Sequence, residues 1–336
     1  MTPDALLVMG AGSVGCFVGG ALQAAGATVH YVGRPRVLDA LRVQGLTLTD
    51  LTGRRQHLAA ASLKLSQTVP TLQRSLVLLC VKSGATREAA LALARALPAG
   101  TPVLSLQNGI GNAVAAQDAA PVLDVIAGMV PFNIAELGPG QFHRGTGGAL
   151  AAAEHDTLRA WQPHFEQAGL PLMLHSDMRG VQWGKLLLNL NNPVNALSEL
   201  PLREQLLSRG YRKAFAALQS EALRVLDAAR IAPARLTPLP PSWLPAVLRL
   251  PTPLFRLLAA RMLRIDAKAR SSMADDLAYG RPTEVEALCG EVVRMARGLG
   301  MDAPVNARMA TLIHEQSLLP QRYDASRLLA ALGLTR

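Results

Sequence analysis

Hydrophobic positions in the first half of the chain come in short blocks separated by glycine, proline and polar turns. ALLVMG, residues 5 to 10, is an apolar run short enough for a strand. Small residues follow to about Ala25 at helical spacing, and Gly26 ends that helix. ATVHYVG, residues 27 to 33, reads as a second strand, so the chain opens on a βαβ unit. GLTLTDLTGRRQHLAAA alternates and turns near Thr52-Gly53, which predicts a hairpin. SLVLLCV at 75 to 81, PVLSLQ at 102 to 107 and VLDVIAG at 122 to 128 are further buried strands, with a helix over 87 to 97. Residues 140 to 153 read as an antiparallel pair, followed by a helix and a last strand, LPLMLH.

After Asp177 the period becomes helical. Helices are expected over about 179 to 200, 203 to 230, 255 to 279 and 283 to 298, with a short one at the end. Residues 233 to 253 hold seven prolines and read as a loop excursion. The expected architecture is α/β: an N-terminal Rossmann-like domain over 1-177 and an all-helical C-terminal domain over 178-336, which would serve substrate binding and dimerisation.

Half of the residues are hydrophobic, enough for a sizeable core in each domain. No apolar run approaches the ~20 residues that cross a bilayer, and no membrane association is expected. The N-terminus runs straight into a strand, without a signal-peptide pattern. Cys16, Cys80 and Cys289 make neither a disulfide framework nor a metal spacing, so no metal is expected and a cytoplasmic location is. The net charge is +10, but the arginines are scattered and aromatics are only 4%, which argues against nucleic acid as a partner. An ordinary solvated surface suits the charge better, together with an anionic cofactor or substrate.

Gly10-Ala-Gly12-Ser13-Val14-Gly15 matches G-x-G-x-x-G between a strand and a helix, the context that the dinucleotide fingerprint requires. Its glycines permit a tight turn and close approach of backbone to pyrophosphate; the helix N-terminus offers N–H groups to phosphate. An acidic residue after the second strand would select NAD. Here Arg34 and Arg36 stand there, and Arg34 is assigned to the 2′-phosphate of NADPH/NADP+, two solvated arginines being the alternative. Lys82 and Asn108 follow predicted strands at their carboxyl ends, where ligands of open α/β sheets bind; Asn108-Gly109 is also an ordinary turn sequence.

KLLLNLNNPVNAL, residues 185 to 197, sets one lysine and four asparagines into a leucine-rich helix. Only five of the 34 basic residues are lysine, and lysine, unlike arginine, can be tuned to release a proton. At 100° per residue Lys185, Asn189 and Asn192 share one face, with a kink expected at Pro193. Such a face fits an oxygen-rich small ligand, or else water and capping neighbours.

Taken in order, GAGSVG, the arginine after the second strand, CVKS, QNGIGN, WGKLLLNLNNP and SSMADDLAYGRPTEVE resemble the ketopantoate reductase family, the 2-dehydropantoate 2-reductases. The resemblance runs from residue 10 to about 286. It implies that Lys185 is the general acid, that Asn189, Asn192 and Ser272 bind substrate, and that Glu284 completes the catalytic set. Asn192-Pro193 lies one residue nearer to Asn189 than the family's corresponding pair, and a substrate asparagine of some members falls near Leu202 here. Local capping offers other uses: Ser272 with Asp275 as an N-cap, and Thr283 with Glu286 as a capping box.

The implied reaction is NADPH-dependent reduction of a 2-oxo acid. The expected one is 2-dehydropantoate, giving pantoate for pantothenate and coenzyme A. The alternatives are a related 2-oxo acid or β-hydroxyacid dehydrogenase, and a non-enzymatic NADP-binding sensor. A homodimer is the expected assembly.

Overall fold

The computed structural model describes residues 5–73, 75–260, 263, 269–319 and 321–335. The chain divides into two compact units, Met1–Met178 and Arg179–Arg336. Among the described residues no helix is long and apolar enough to cross a membrane.

The first unit runs β1 (Ala5–Met9), α1 (Ser13–Ala24), β2 (Val29–Val32), α2 (Pro35–Gln44), β3 (Leu46–Asp50), β4 (Arg55–Leu58), β5 (Lys64–Ser66) and β6 (Ser75–Leu79). It continues with α3 (Thr86–Ala96), β7 (Pro102–Ser105), α4 (Asn112–Ala119), β8 (Asp124–Met129), β9 (Ile134–Gly138), β10 (Gln141–Arg144), β11 (Leu150–Ala153), α5 (Asp156–Gln167) and β12 (Leu172–His175). The main sheet has the order β12-β11-β8-β7-β6-β1-β2-β5. From β5 to β8 every pairing is parallel, and in chain order these strands read 3-2-1-4-5-6, the Rossmann arrangement. Strands β1 and β6 are apolar at almost every position because helices cover both faces of such a sheet.

A second sheet, β4-β3-β10-β9, lies beside α1. It contains the predicted hairpin: β3 and β4 pair antiparallel about Gly53, at φ 83°. The expected antiparallel pair within 140 to 153 does not form. β10 pairs with β9 and β3, whereas β11 joins the main sheet between β8 and β12. Each strand finds a partner distant in sequence, which local alternation cannot reveal.

The second unit is helical: α6 (Met178–Asn189), α7 (Asn191–Ser198), α8 (Leu202–Leu207), α9 (Arg209–Ala228), α10 (Leu244–Arg249), α11 (Thr252–Leu258), α12 (Ser272–Ala278), α13 (Val285–Gly298), α14 (Pro304–Leu318) and α15 (Ala325–Ala331). The helix expected over 179 to 200 is two helices, broken at Leu190. The break places Pro193 in the first turn of α7, where a missing N–H costs nothing and the clash with the Asn189 carbonyl is relieved. The proline-rich stretch is not a loop throughout, because Pro245 and Pro253 open α10 and α11. The single helix expected over 255 to 279 is replaced by α11 and α12; residues 261, 262 and 264–268 between them, Lys268 included, lie outside the described residues.

Candidate active site

The turn after β1 is built from glycines because nothing larger fits. Gly10 has φ 108°, and a Cβ there would stand 2.7 Å from the Val81 nitrogen, at the point between β1 and β6 where the strand order reverses. A Cβ on Gly15 would lie 2.2 Å from the Gly10 carbonyl oxygen. Gly12 caps α1 without a side chain, and the first turn, which begins Ser13-Val14-Gly15, holds no acidic residue. The N–H groups there keep their positive potential for an anion. Gly10 and Ala11 donate to the Val32 carbonyl at 2.9 Å each, tying the turn to β2.

Two arginines follow β2, and the structure separates their uses. Arg36 makes a two-pronged ion pair with Glu136 on β9, at 3.0 and 3.3 Å. Arg34, exposed as the N-cap residue of α2, has no hydrogen bond or ion pair from its side chain among the described residues. Its guanidinium is therefore not engaged by the described residues. Arg34→Ala is expected to raise the KM for NADPH and leave that for NADH nearly unchanged, a loss of about 1.5–3 kcal/mol as for one hydrogen bond to a charged group; steady-state kinetics with both nucleotides measures it.

Lys82 is exposed just past β6, and Asn108 is half-buried just past β7. The loops that carry them are braced by a polar network that sequence reading passed over. Gln107 donates to Thr86 Oγ1 at 2.7 Å and to the Val81 carbonyl at 2.9 Å; Thr86 donates to Asn112, whose amide donates to the Asn108 carbonyl at 2.6 Å. Gln107 and Asn112 both lie within the QNGIGN motif, and two buried amides flanking a turn are the signal that could have revealed the brace.

On the helical unit the four asparagines fall into two kinds. Asn191 exchanges two hydrogen bonds with Gln205 of α8, at 3.0 and 3.2 Å. Asn195, fully buried, donates to the Leu200 carbonyl and accepts from the Ser271 N–H, both at 2.9 Å. Their amides are spent on the fold. Asn189 is 9% exposed, yet its amide has no hydrogen-bond partner among the described residues; the half-buried amide of Asn192 has none either. Lys185 lies one turn before Asn189 on α6, half-buried, and burial lowers its pKa from 10.5 to about 8. The helix break moves Asn192 onto α7, so the arc computed for one continuous helix holds only for Lys185 and Asn189.

Ser272 is not the N-cap of α12. Ser271 is: its hydroxyl accepts from the Ala274 N–H and donates to the Asn192 carbonyl, both at 3.2 Å. Ser272 is exposed at the first helical position, close in sequence to that link with α7. The capping box of Thr283 and Glu286 does not form either. Glu284 itself occupies the N-cap of α13, half-buried, while Glu286 turns to His314 at 2.9 Å.

Behind α6 lies the proline-rich segment. Ala234 donates to the Gly180 carbonyl at 2.8 Å, and a Cβ on Gly184 would come within 2.4 Å of the Ala234 carbonyl oxygen. The residue before Lys185 is therefore glycine for reasons of contact.

A 3-2-1-4-5-6 sheet with a glycine turn at its switch point, followed by a helical unit, defines the class as a dinucleotide-binding α/β protein, and the family matches make it an oxidoreductase. Residues 6–157 match the family model "Ketopantoate reductase PanE/ApbA", and residues 177–317 match "Ketopantoate reductase PanE/ApbA C terminal". The chain belongs to the ketopantoate reductase family. The 2-dehydropantoate 2-reductase of Halobacterium salinarum is 29% identical, across 92% of this chain and 97% of that protein. Its counterpart in Pyrococcus horikoshii is 26% identical, across 94% and 98%. Among solved structures, a PanE/ApbA family ketopantoate reductase from Ralstonia eutropha is similar with a TM-score of 0.79 and 28% identity, covering 95% of this chain and 100% of that one. D-mandelate dehydrogenase, solved with NADH and anilino(oxo)acetate, has a TM-score of 0.78 at 19% identity over 93% of this chain and 98% of its own, a likeness of fold.

Proposed function

We propose that this protein reduces 2-dehydropantoate to pantoate with NADPH. The observation that carries the reading is the division among the asparagines. The buried amides of Asn191 and Asn195 are satisfied by the protein, while the amide of Asn189 has no protein partner among the described residues, one turn from a lysine whose pKa is lowered to about 8. An amide that the fold does not consume, set one turn from such a lysine, fits a face whose polar contacts are made to a ligand.

In this reading Gly10, Gly12, Ser13, Val14 and Gly15 hold the dinucleotide pyrophosphate through backbone and helix N-terminus, and Arg34 holds the 2′-phosphate. Lys82 and Asn108 line the same side from the ends of β6 and β7. NADPH, when bound, supplies the hydride. Negative charge grows on the keto oxygen as the hydride arrives, and the Lys185 ammonium gives that oxygen its proton. Asn189, Asn192 and Ser272 hold the carboxylate and hydroxyl oxygens of the substrate. Glu284 orients Lys185 or the substrate hydroxyl. The ketopantoate reductase of Staphylococcus aureus is described as dimeric, which supports a homodimer here too.

Substitutions at the two kinds of asparagine should diverge. Asn189→Ala is expected to raise the KM for the 2-oxo acid and leave thermal stability nearly unchanged. Asn191→Ala leaves Gln205 unpaired in the core and should lower stability by about 1–3 kcal/mol. Thermal melts beside steady-state kinetics separate the two.

The test of the function is NADPH oxidation against a panel of 2-oxo acids. The reading expects the highest kcat/KM with 2-dehydropantoate; a consistent preference for another member would assign a different substrate to the same chemistry.

A further inference from the structure

Gln219 sits on α9, is 1% exposed, and donates from Nε2 to the Leu187 carbonyl at 3.0 Å. Leu187 is within the last turn of α6, between Lys185 and Asn189. The last four carbonyls of a helix have no partner within it, and in an unbroken helix the Leu187 carbonyl would take the Asn191 N–H. Here α6 stops at Asn189 and α7 starts at Asn191, and a side chain from another helix meets that carbonyl.

The price of this arrangement is visible in the same residue: Gln219 Oε1 is buried with no partner. A leucine or methionine would fill similar space without stranding an oxygen. Turning the amide over would set its oxygen against the Leu187 oxygen, so the observed orientation is the one its partner dictates. What the residue contributes is therefore the single bond to the end of α6.

We propose that Gln219 is a positioning residue for the reduction: by meeting the Leu187 carbonyl it holds open the break between α6 and α7. That fixes the direction in which Lys185 and Asn189 on one side, and Asn192 on the other, present their polar groups. Other anchors hold α7 itself, through Asn191 to Gln205 and Asn195 to Ser271. Gln219 holds the end of α6. The proposal rests on the reading of Lys185 and Asn189 as acid and substrate ligand.

The test compares Gln219→Met with wild type and with Tyr211→Phe. Tyr211 lies on the same helix and donates to the Tyr323 carbonyl at 2.7 Å, so its loss removes one buried hydrogen bond from α9 away from α6. Melting temperature, NADPH affinity by fluorescence titration, and kcat and KM for 2-dehydropantoate are measured for all three. Gln219→Met is expected to bind NADPH as wild type does, because the groups assigned to the nucleotide lie on the first unit. Its kcat should fall and its KM rise, together lowering kcat/KM by ~10-fold or more, toward the ~10²-fold that a 1 Å misplacement costs. Tyr211→Phe should lose melting temperature alone. Should Gln219→Met not fold, Gln219→Leu, which also lacks a donor and is smaller, is measured in its place, and the same fall is expected. A folded Gln219 variant whose kcat and KM move no further than those of Tyr211→Phe overturns the proposal. A wild-type protein that does not turn over 2-dehydropantoate overturns instead the functional reading beneath it.

Discussion

Replacing Lys185 with arginine is expected to lower kcat by ~10²–10⁴-fold, the usual contribution of a positioned general acid. Arginine keeps the charge but holds its proton throughout the working range, so it cannot finish the reduction. Lys185→Ala should lose as much. Wild-type turnover should depend on pH with a sign that follows from burial. The folded pKa is lowered from 10.5 to about 8, so the ammonium donor is present below about pH 8 and depleted above it. The kcat is therefore expected to fall as pH rises through that region, where an unperturbed lysine would still be protonated. A pH–rate profile of the wild type, with kcat for both variants, checks these points. Retention of most of the wild-type kcat by Lys185→Arg would remove Lys185 from the chemistry.

Gly15→Ala should abolish nucleotide binding and lower stability. The added methyl would meet the Gly10 carbonyl at 2.2 Å and Val8 Cγ1 at 2.7 Å, and both belong to the turn and strand that the nucleotide site requires. Neither is the free end of a flexible side chain. Relief must come from moving α1 off the sheet or distorting the Gly10 turn, and overpacking of this kind costs about 1–3 kcal/mol. NADPH fluorescence titration and a thermal melt measure the two losses. An alanine variant that binds NADPH as tightly as wild type would show that the turn is looser than its contacts indicate.

These expectations draw on two sorts of information in the chain. The Rossmann half was legible because its signals are local: apolar runs, a glycine fingerprint between strand and helix, a hairpin at Thr52-Gly53. Pairing was less so. Strands β10 and β11 are neighbours in sequence, yet they enter different sheets because their partners come from elsewhere in the chain. Pro193 announced a disturbance, but periodicity alone could not show that a full break at Leu190 would carry Asn192 onto another helix. Capping patterns misled by one residue: Ser271 rather than Ser272 caps α12, and Glu284 rather than Thr283 precedes α13.

The four asparagines illustrate the same limit at the site. Sequence spacing could gather Lys185, Asn189 and Asn192, but not say which amides the fold consumes. That depends on Gln205 and Ser271, 14 and 76 residues away from the amides they meet. Nor could it separate Arg34 from Arg36, since the ion pair that occupies Arg36 comes from Glu136, 100 residues on. Gly184 is explained by the Ala234 carbonyl, and Gln219 by the Leu187 carbonyl, contacts with no trace in local pattern.

The central claim is that this chain reduces 2-dehydropantoate rather than merely binding its nucleotide. The most direct test is a single turnover: wild-type protein saturated with NADPH is mixed with 2-dehydropantoate, and nucleotide fluorescence and pantoate are followed together. The account predicts loss of the NADPH signal with one pantoate formed for each NADPH oxidised. Tight NADPH binding with no oxidation and no pantoate would contradict it and leave a nucleotide-binding protein without the reaction.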